Sequence, residues 1–226
     1  MYNRIQAQSL AGIQYVEGGD KTSPNKIIMF HGYGADMMDL YSFHDAIDTA
    51  KPFHWIFPNG ILDVPIGPHM FGKGWFNIDI PSFERALRMG EFSKLKPTGM
   101  DEARAKVEKF LKALNLDFSN TYLGGFSQGA MLVTELLLET AIVPRGAILL
   151  SGTLVNEDRW ASLMAKKKGL RYYQSHGSQD PILPAELAQR LHELLEQNGW
   201  DGFLNIFKGG HEIPHKVISD ISSFIK

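Results

Sequence analysis

Ser127 lies at the centre of a G-x-S-x-G sequence, residues 125–129, a pattern that can make a serine hydroxyl a nucleophile. The short apolar segment 122–124 before it predicts a strand end, and the run 130–138 after it predicts a helix. A serine at such a sharp turn is exposed, and the helix N-terminus directs N–H groups toward the charge that develops in the reaction. We therefore predict a nucleophilic Ser127, although a passive serine in a glycine-rich turn would fit the same five residues.

Two titratable residues, Asp180 and His211, each follow a segment with strand character. The C-terminal ends of parallel strands meet at one edge of a sheet, so residues that are distant in sequence can converge there. The chain order Ser, Asp, His is that of the α/β hydrolases. We therefore predict that Ser127, Asp180 and His211 form a catalytic triad. Asp201 and His215 are the less favoured alternatives for the acid and the base.

A second loop has the character of an oxyanion loop. The apolar segment 26–30 predicts a strand, and it opens into the glycine-containing residues 31–36. Such a loop supplies one N–H to an oxyanion hole, and the residue after the nucleophile supplies the other. The predicted donors are the backbone N–H groups of Tyr33 and Gln128. The same loop would also fit an ordinary strand-to-helix turn with Asp36 as the helix N-cap.

Taken together, these segments resemble the small carboxylesterase/phospholipase family of α/β hydrolases, which includes the acyl-protein thioesterases. The matching segments occur in family order over nearly the whole chain, at residues 31–34, 74–76, 124–129, 176–177 with Asp180 and Pro181, and 210–211. The resemblance implies the same triad and the same two oxyanion donors. One position departs from the family, because Asn77 occupies a site where the thioesterases are expected to carry an acidic residue. The choice between ester and thioester substrates therefore stays open.

Strand and helix patterns alternate along the 226 residues. Such alternation predicts an α/β fold, here a single α/β-hydrolase domain over residues 1–226, with a mostly parallel central sheet, helices on both faces and no separate cap domain. We predict a hairpin within residues 3–17, strands at 26–30, 53–57, 121–126, 146–151, 170–176 and 203–207, and helices at 36–49, 100–114, 129–140, 158–168, 184–198 and 213–225.

Residues 58–99 interrupt this alternation with many prolines, glycines and aromatic residues, and only a short helix at 82–90 is indicated. We interpret the segment as an irregular excursion packed over the active-site edge, since its aromatic content is unlike that of disordered chains. Ligand pockets are commonly lined by aromatic side chains. We expect the wall of an acyl-binding groove to be formed by Met70, Phe71, Trp75 and Phe76.

Composition excludes several classes of protein. A net charge of −2 and a pI near 6.4 do not favour binding to nucleic acid or to an anionic membrane surface. The absence of cysteine excludes disulfides and thiol nucleophiles. We find no secretory signal and no membrane span, so a cytoplasmic protein is expected. The expected partner is a small acyl-ester or thioester substrate, with a homodimer left open and no cofactor or metal.

Two further motifs point to other chemistry. Residues 67–74 nearly match a phosphate-binding G-x-x-x-x-G-K-[ST] loop, but Gly74 replaces the hydroxyl residue and no helix pattern follows. Residues 211–215 match the H-E-x-x-H signature of zinc peptidases, but Pro214 would fit only the first turn of a helix. A zinc peptidase and a non-catalytic ligand-binding α/β-hydrolase fold are therefore the alternatives to an ester hydrolase.

Overall fold

The computed structural model describes residues 5–226, and within this range ten strands and seven α-helices alternate. The strands are β1 (Gln8–Leu10), β2 (Ile13–Gly19), β3 (Lys26–Phe30), β4 (His54–Pro58), β5 (Leu62–Gly67), β6 (Met70–Gly74), β7 (Thr121–Phe126), β8 (Gly146–Leu150), β9 (Arg171–Gly177) and β10 (Asp201–Phe207). The helices are α1 (Phe43–Ala46), α2 (Ile80–Met89), α3 (Met100–Ala113), α4 (Gln128–Glu139), α5 (Glu157–Met164), α6 (Ala185–Gln197) and α7 (His215–Phe224).

Eight strands form the central sheet in the order β1-β2-β4-β3-β7-β8-β9-β10. The β1–β2 hairpin and the β2–β4 pair are antiparallel. The remaining neighbours in this order, from β4 through β3, β7, β8 and β9 to β10, pair in parallel. The predicted mostly parallel sheet is therefore confirmed, as is the hairpin around Ala11 and Gly12. Residues 3 and 4 of the predicted hairpin lie outside the described part of the chain.

Apolar side chains cover both faces of this sheet, because successive side chains of a strand point to opposite faces. In β3, Ile28 and Phe30 belong to one buried cluster, and Ile27 and Met29 belong to the other. Helices α3 to α6 pack on the first face, and α1 and α7 pack on the second. Helix α4 is buried along almost its entire length, which explains why its sequence has no polar face. Its first residue, Gln128, follows Ser127 directly.

The segment 58–99 is not irregular, which corrects the sequence prediction. It contains a second, two-stranded sheet made of β5 and β6, followed by the ten-residue helix α2. A two-stranded ribbon consists only of edge strands, so it tolerates the proline and glycines that obscured its strand pattern. Backbone hydrogen bonds attach this hairpin to the predicted oxyanion loop: the Gly34 N–H donates to Lys73 O at 2.8 Å, and the Lys73 N–H donates to Ala35 O at 2.7 Å.

The predicted helix at 36–49 is mostly absent, because only Phe43–Ala46 is α-helical. Before it the chain makes consecutive turns, in which the Asp39 N–H donates to Asp36 O at 3.1 Å. The Asp36 side chain also accepts the Met38 N–H at 2.7 Å. A short carboxylate that binds nearby backbone in this way competes with helix formation. The other predicted helices agree with the structure to within a few residues.

No helix within residues 5–226 combines the length and the apolar character needed to cross a membrane. Over the same range, no group of elements forms a separate cap domain above the sheet.

Candidate active site

Ser127 occupies a strained turn between β7 and α4. Its backbone has φ 54° and ψ −117°, a conformation that is rare for a residue with a side chain. Its N–H donates to Leu150 O at 2.8 Å, which ties the turn to β8. A Cβ at Gly125 would lie 2.3 Å from Gly129 C, and one at Gly129 would lie 2.0 Å from Phe30 O. Both flanking glycines are therefore required by close backbone contacts, and the turn has the geometry of a nucleophile elbow.

Asp180 and His211 form a hydrogen-bonded pair. His211 Nδ1 lies 2.7 Å from Asp180 Oδ2, and the Asp180 side chain is fully buried. The other carboxylate oxygen accepts the N–H groups of Ile182 at 2.8 Å and Leu183 at 2.9 Å. A carboxylate only accepts, so His211 Nδ1 is the donor and, in the neutral ring, Nε2 is left as a base.

The carboxylate of Asp180 is held in its charged form. Burial alone would raise the pKa of Asp180, but hydrogen bonds from His176, His211 and the N–H groups of Leu183 and Ile182 outweigh burial. Together they hold the pKa of Asp180 well below its usual range. The ionised carboxylate can therefore orient His211 and stabilise a positive charge on it.

Close packing joins the loops that carry these two residues. The Ser178 N–H donates to Phe207 O at 2.8 Å, and the Gln179 N–H donates to Gly209 O at 2.9 Å. A Cβ at Gly177 would lie only 2.1 Å from Gly210 O. The end of β9 therefore lies directly against the loop before His211, which sets the distance between the acid and the base.

A cleft of about 710 Å³ brings the predicted residues together. Ser127, His211, Tyr33 and Gln128 all line it, and Asp180 lies behind His211. A Cβ at Gly32 would lie 3.4 Å from the Ser127 Cβ, so the predicted oxyanion loop is adjacent to the serine. The cleft thus combines a hydroxyl, an imidazole oriented by a carboxylate, and a glycine-containing loop.

The predicted oxyanion loop is fixed by His31, a residue for which no role was predicted from the sequence. The Gly60 N–H donates to His31 Nε2 at 2.9 Å, so Nδ1 carries the hydrogen and donates to Gly32 O at 2.7 Å. The Trp75 indole N–H donates to His31 O at 2.9 Å. Burial lowers the pKa of His31, which favours the neutral ring that this network needs. The only sequence signal was a histidine before glycine at a strand end.

Trp75 is a core residue, which corrects its predicted place in the wall of an acyl groove, since it is 0% exposed and does not line the cleft. Phe76 is 1% exposed and does not line the cleft either, but it borders a neighbouring cavity of about 430 Å³. The buried Gln128 side chain accepts the Trp75 N–H at 2.8 Å and donates to Phe76 O at 2.7 Å. Aromatic residues of this size contribute most to stability when buried, and Gln128 satisfies the polar backbone buried with them.

Met70 and Phe71 also lie away from the cleft. They are 59% and 67% exposed on β6, where Phe71 borders a shallow cavity with Met38 and Ile66. This cavity shares Gly34, Ala35 and Asp39 with the cleft, but neither Met70 nor Phe71 lines the cleft. The predicted segment does contribute to the cleft, but through residues of α2 and the chain before it. These residues are Ile78, Phe83, Glu84 and Leu87, and Met131, Pro181, Ile182 and Leu183 complete the apolar lining. The short helix predicted at 82–90 is present as α2, but the sequence did not indicate that this helix borders the cleft.

Asn77 is the position at which the sequence departs from the thioesterase pattern, and Asp79 lies two positions beyond it. Asp79 precedes the first residue of α2, and its side chain accepts the Ser82 hydroxyl at 2.6 Å. The Asn77 N–H donates to Thr98 O at 3.1 Å. Both residues therefore have structural contacts at the start of α2.

The two alternative motifs do not have the geometry that their chemistry needs. His211 lies in the loop before α7, whereas His215 is the first residue of that helix, so the two do not share a helix face. Within residues 5–226, no group of three or more acidic or histidine side chains could hold a metal ion. Residues 67–74 form the turn and second strand of the β5–β6 hairpin, and no helix begins directly after them.

Known proteins match this chain over most of its length. The phospholipase/carboxylesterase family model matches residues 11–226. The acyl-protein thioesterase 1 of Candida albicans is 26% identical over 219 residues, which cover 88% of this chain and 90% of that protein. The esterase YpfH of Escherichia coli is 24% identical over 208 residues, which cover 89% of this chain and 82% of that protein.

Solved structures share the fold. A carboxylesterase from Mesorhizobium loti superposes with a TM-score of 0.74 at 21% identity, covering 99% of both chains. SOBER1 of Arabidopsis thaliana superposes with a TM-score of 0.69 at 20% identity, covering 89% of this chain and 97% of SOBER1. The predicted α/β-hydrolase fold is thus confirmed. Since the family model covers nearly the whole chain, the chain belongs to the phospholipase/carboxylesterase family of α/β hydrolases and is a serine hydrolase of carboxylic esters.

Proposed function

We propose that Ser127, His211 and Asp180 are the catalytic triad of this hydrolase. The observation that carries the proposal is the buried 2.7 Å contact between Asp180 and His211 on the same cleft as a serine in a strained elbow. His211 Nε2 takes the proton of the Ser127 hydroxyl as its oxygen attacks the acyl carbonyl. The imidazolium then protonates the leaving oxygen or sulfur as its bond to the acyl carbon breaks.

Water completes the reaction on the resulting acyl-enzyme. His211 takes a proton from water as the hydroxyl oxygen attacks the acyl carbonyl. The ester bond to Ser127 breaks, the proton returns to the serine oxygen, and the carboxylic acid product leaves. Asp180 stays ionised throughout and holds the ring orientation.

The Tyr33 and Gln128 N–H groups are the proposed oxyanion donors. Gln128 is the first residue of α4, so its N–H has no partner within the helix. Within residues 5–226, the Tyr33 N–H donates to no backbone carbonyl. Each donor of this kind lowers the barrier by about 3 kcal/mol. Both groups therefore remain available for the negative oxygen of the tetrahedral intermediate.

We propose that the acyl chain lies along the apolar side of the cleft, between α2 and α4. Phe83, Ile78 and Met131 line both this cleft and a second cavity of about 430 Å³. The two cavities thus share a wall, and a long chain that passes these residues would enter the second cavity. Each buried methylene contributes about 0.8 kcal/mol, so a long chain gains substantial binding energy there.

The substrate class follows from this groove. We propose acyl esters and thioesters of extended chain length, lysophospholipids included, because their apolar chains match the lining. The acyl-protein thioesterase 1 relatives support the thioester half of this proposal. A panel of esters and thioesters of graded acyl length, compared by kcat/KM, shows whether the enzyme prefers an oxygen or a sulfur leaving group.

All proposed catalytic groups come from one chain, so the chemistry does not require the homodimer considered from the sequence. The cytoplasmic location expected from the sequence is part of this proposal, and cell fractionation with activity assays tests it.

A fluorophosphonate probe tests the nucleophile directly. We expect one covalent adduct per chain, and we expect Ser127→Ala to abolish it and to lower kcat by about 10⁴-fold or more. Ser223→Ala is the matched control, because Ser223 is exposed on α7 and should label and react like the native protein. Adduct formation that persists in Ser127→Ala would refute the assignment.

A further inference from the structure

A second histidine contacts the carboxylate of Asp180. His176 lies in β9 and is 0% exposed. Its Nε2 lies 2.8 Å from Leu183 O and 3.3 Å from Asp180 Oδ2. The Leu183 carbonyl and the charged Asp180 carboxylate are both acceptors, so Nε2 carries the hydrogen. It donates to Leu183 O, and Asp180 Oδ2 is a second, longer contact. Within the described chain, the buried Nδ1 atom has no hydrogen-bond partner.

We propose that His176 is a positioning residue that fixes the Asp180 carboxylate toward His211 and moderates its negative charge. The inference rests on the triad proposed above and adds a fourth side chain to it. His176 does not line the cleft, so it acts only through Asp180.

The geometry gives each carboxylate oxygen a separate set of donors. Oδ1 accepts the N–H groups of Ile182 and Leu183, whereas Oδ2 accepts from His211 at 2.7 Å and lies 3.3 Å from His176 Nε2. The two amides restrain one oxygen, but they leave the other free to tilt. His176 approaches Oδ2 from β9, whereas His211 approaches it from the loop after β10. The second imidazole therefore restrains the oxygen that orients the base.

The contact between the His176 N–H and Asp180 Oδ2 also affects the charge that His211 experiences. A hydrogen bond to an anion stabilises the charged form. The His176 N–H therefore offsets part of the charge that would otherwise stabilise protonated His211. Removal of this donor strengthens the attraction between Asp180 and protonated His211, which favours the charged ring over the neutral base. The acid limb of the kcat/KM profile should therefore move to higher pH.

Other ionisable groups near the base stay constant in the comparison. Glu212 follows His211 and binds the Gly210 N–H, and Asp39 and Glu84 line the cleft. None of them changes when His176 is replaced. Their contribution to the profile therefore cancels between variants.

The test is a matched pair of substitutions, His176→Gln and His176→Leu. A glutamine amide nitrogen reaches about as far as imidazole Nε2 and keeps a donor, whereas leucine removes it. With a neutral short-chain ester, we expect His176→Leu to lower kcat about 10-fold or more, with KM changed less than 2-fold. We expect the acid limb of its kcat/KM profile to move to higher pH by about half a unit or more. His176→Gln should restore most of kcat and the native limb.

Three results would decide against the proposal. A His176→Leu enzyme with native kcat and native pH profile, but a lower melting temperature, would show a purely structural role. A His176→Gln enzyme as impaired as His176→Leu would show that the donor is not what matters. In the native protein, long-range ¹H–¹⁵N spectra should place the His176 hydrogen on Nε2, and the opposite tautomer would overturn the proposal even if both variants fail to fold.

Failure of the triad itself gives a different signature. Full activity in Asp180→Asn would refute the triad whatever the His176 variants do. A large loss in Asp180→Asn together with a native His176→Leu profile would refute only the positioning role.

Discussion

At the scale of single residues, the site depends on which nitrogen of each buried ring carries hydrogen. His211 donates from Nδ1 to Asp180, and His31 donates from Nδ1 while Nε2 accepts the Gly60 N–H. One substitution or one proton can therefore change the orientation of a catalytic group while the fold is kept.

Replacing Asp180 with asparagine should lower kcat by about 10⁴-fold, the effect known for the equivalent change in a serine protease. An amide can donate to His211, which favours the wrong tautomer of the base. Asp201→Asn is the matched control, since Asp201 is exposed at the start of β10. Steady-state kinetics and melting temperatures of both variants check the prediction. A comparable loss in Asp201→Asn would show that the acid was misassigned.

Acid should destabilise the protein partly through His31. The pKa of His31 is lowered by burial, whereas the unfolded chain has the ordinary value near 6.5. As pH falls below about 6.5, the unfolded state binds a proton before the folded state does, so stability falls until the folded pKa is reached. Urea denaturation at pH 7.5 and 5.5 should show a smaller decrease for His31→Gln than for the native protein. An equal decrease in the two proteins would show that other groups cause the loss of stability. His54 is one such group, because burial also lowers its pKa.

At the scale of elements, the β5–β6 hairpin and helix α2 determine the shape of the cleft at the edge of the sheet. The hairpin is bonded to the oxyanion loop through Lys73, and Gln128 at the start of α4 holds the chain that leads from β6 to α2. The elbow, the oxyanion loop and the apolar wall are therefore connected. Changes in one should be measurable in the others.

Gln128→Met should destabilise the fold by about 2 kcal/mol or more, because it leaves the Trp75 N–H and Phe76 O without partners in a buried position. Gln197→Met, at the exposed end of α6, provides the control and should change stability little. Urea denaturation of both variants gives the comparison. Equal stability of the two would mean that water can replace the Gln128 contacts.

Phe83→Ala should reduce kcat/KM for long acyl chains several-fold more than for acetyl esters, because Phe83 borders both apolar cavities. Phe71→Ala removes a ring of the same size from an exposed strand outside the cleft and should leave the chain-length profile unchanged. If Phe71→Ala alters the profile and Phe83→Ala does not, the acyl chain follows the hairpin instead of α2.

At the scale of the whole molecule, the charge distribution limits the leaving groups that the site accepts. The protein has a net charge of −2, and the charged cleft residues include Asp39 and Glu84. Burial, and to a lesser extent the neighbouring charge of Asp36, raises the pKa of Asp39. Glu84 is only loosely paired with Arg88, at 3.9 Å. Over the described residues, no lysine or arginine lines the cleft.

Esters with an anionic leaving group should therefore react more slowly than neutral esters of the same acyl chain, by about 5-fold at low ionic strength. Added salt should narrow the difference, because it screens exposed charges. The combined substitution Asp39→Asn and Glu84→Gln should narrow it as well. A preference that is insensitive to both salt and these substitutions would have to come from shape.

Local sequence determined the elements that hold the proposed catalytic groups. Ser127 was indicated by glycines that only a crowded turn requires, and α4 by an apolar run that no exposed helix could carry. The strand that ends near Asp180, β9, is almost entirely buried within the parallel sheet. The strand that ends near His211, β10, was recognisable from the alternation of apolar and polar residues, which fits its place at the sheet edge. These signals lie within a few residues of each group, so they can be read without the fold.

Only the tertiary structure decided which side chains surround those groups. The burial of Trp75, the cleft position of Phe83, and the contact between His176 and Asp180 depend on segments that are distant in the chain. The β5–β6 hairpin was likewise hidden, because its strands contain a proline and several glycines and are bonded to the distant loop at residues 34 and 35. Packing and long-range hydrogen bonds therefore set the specificity and fine orientation of the site, whereas short-range backbone geometry set its chemistry.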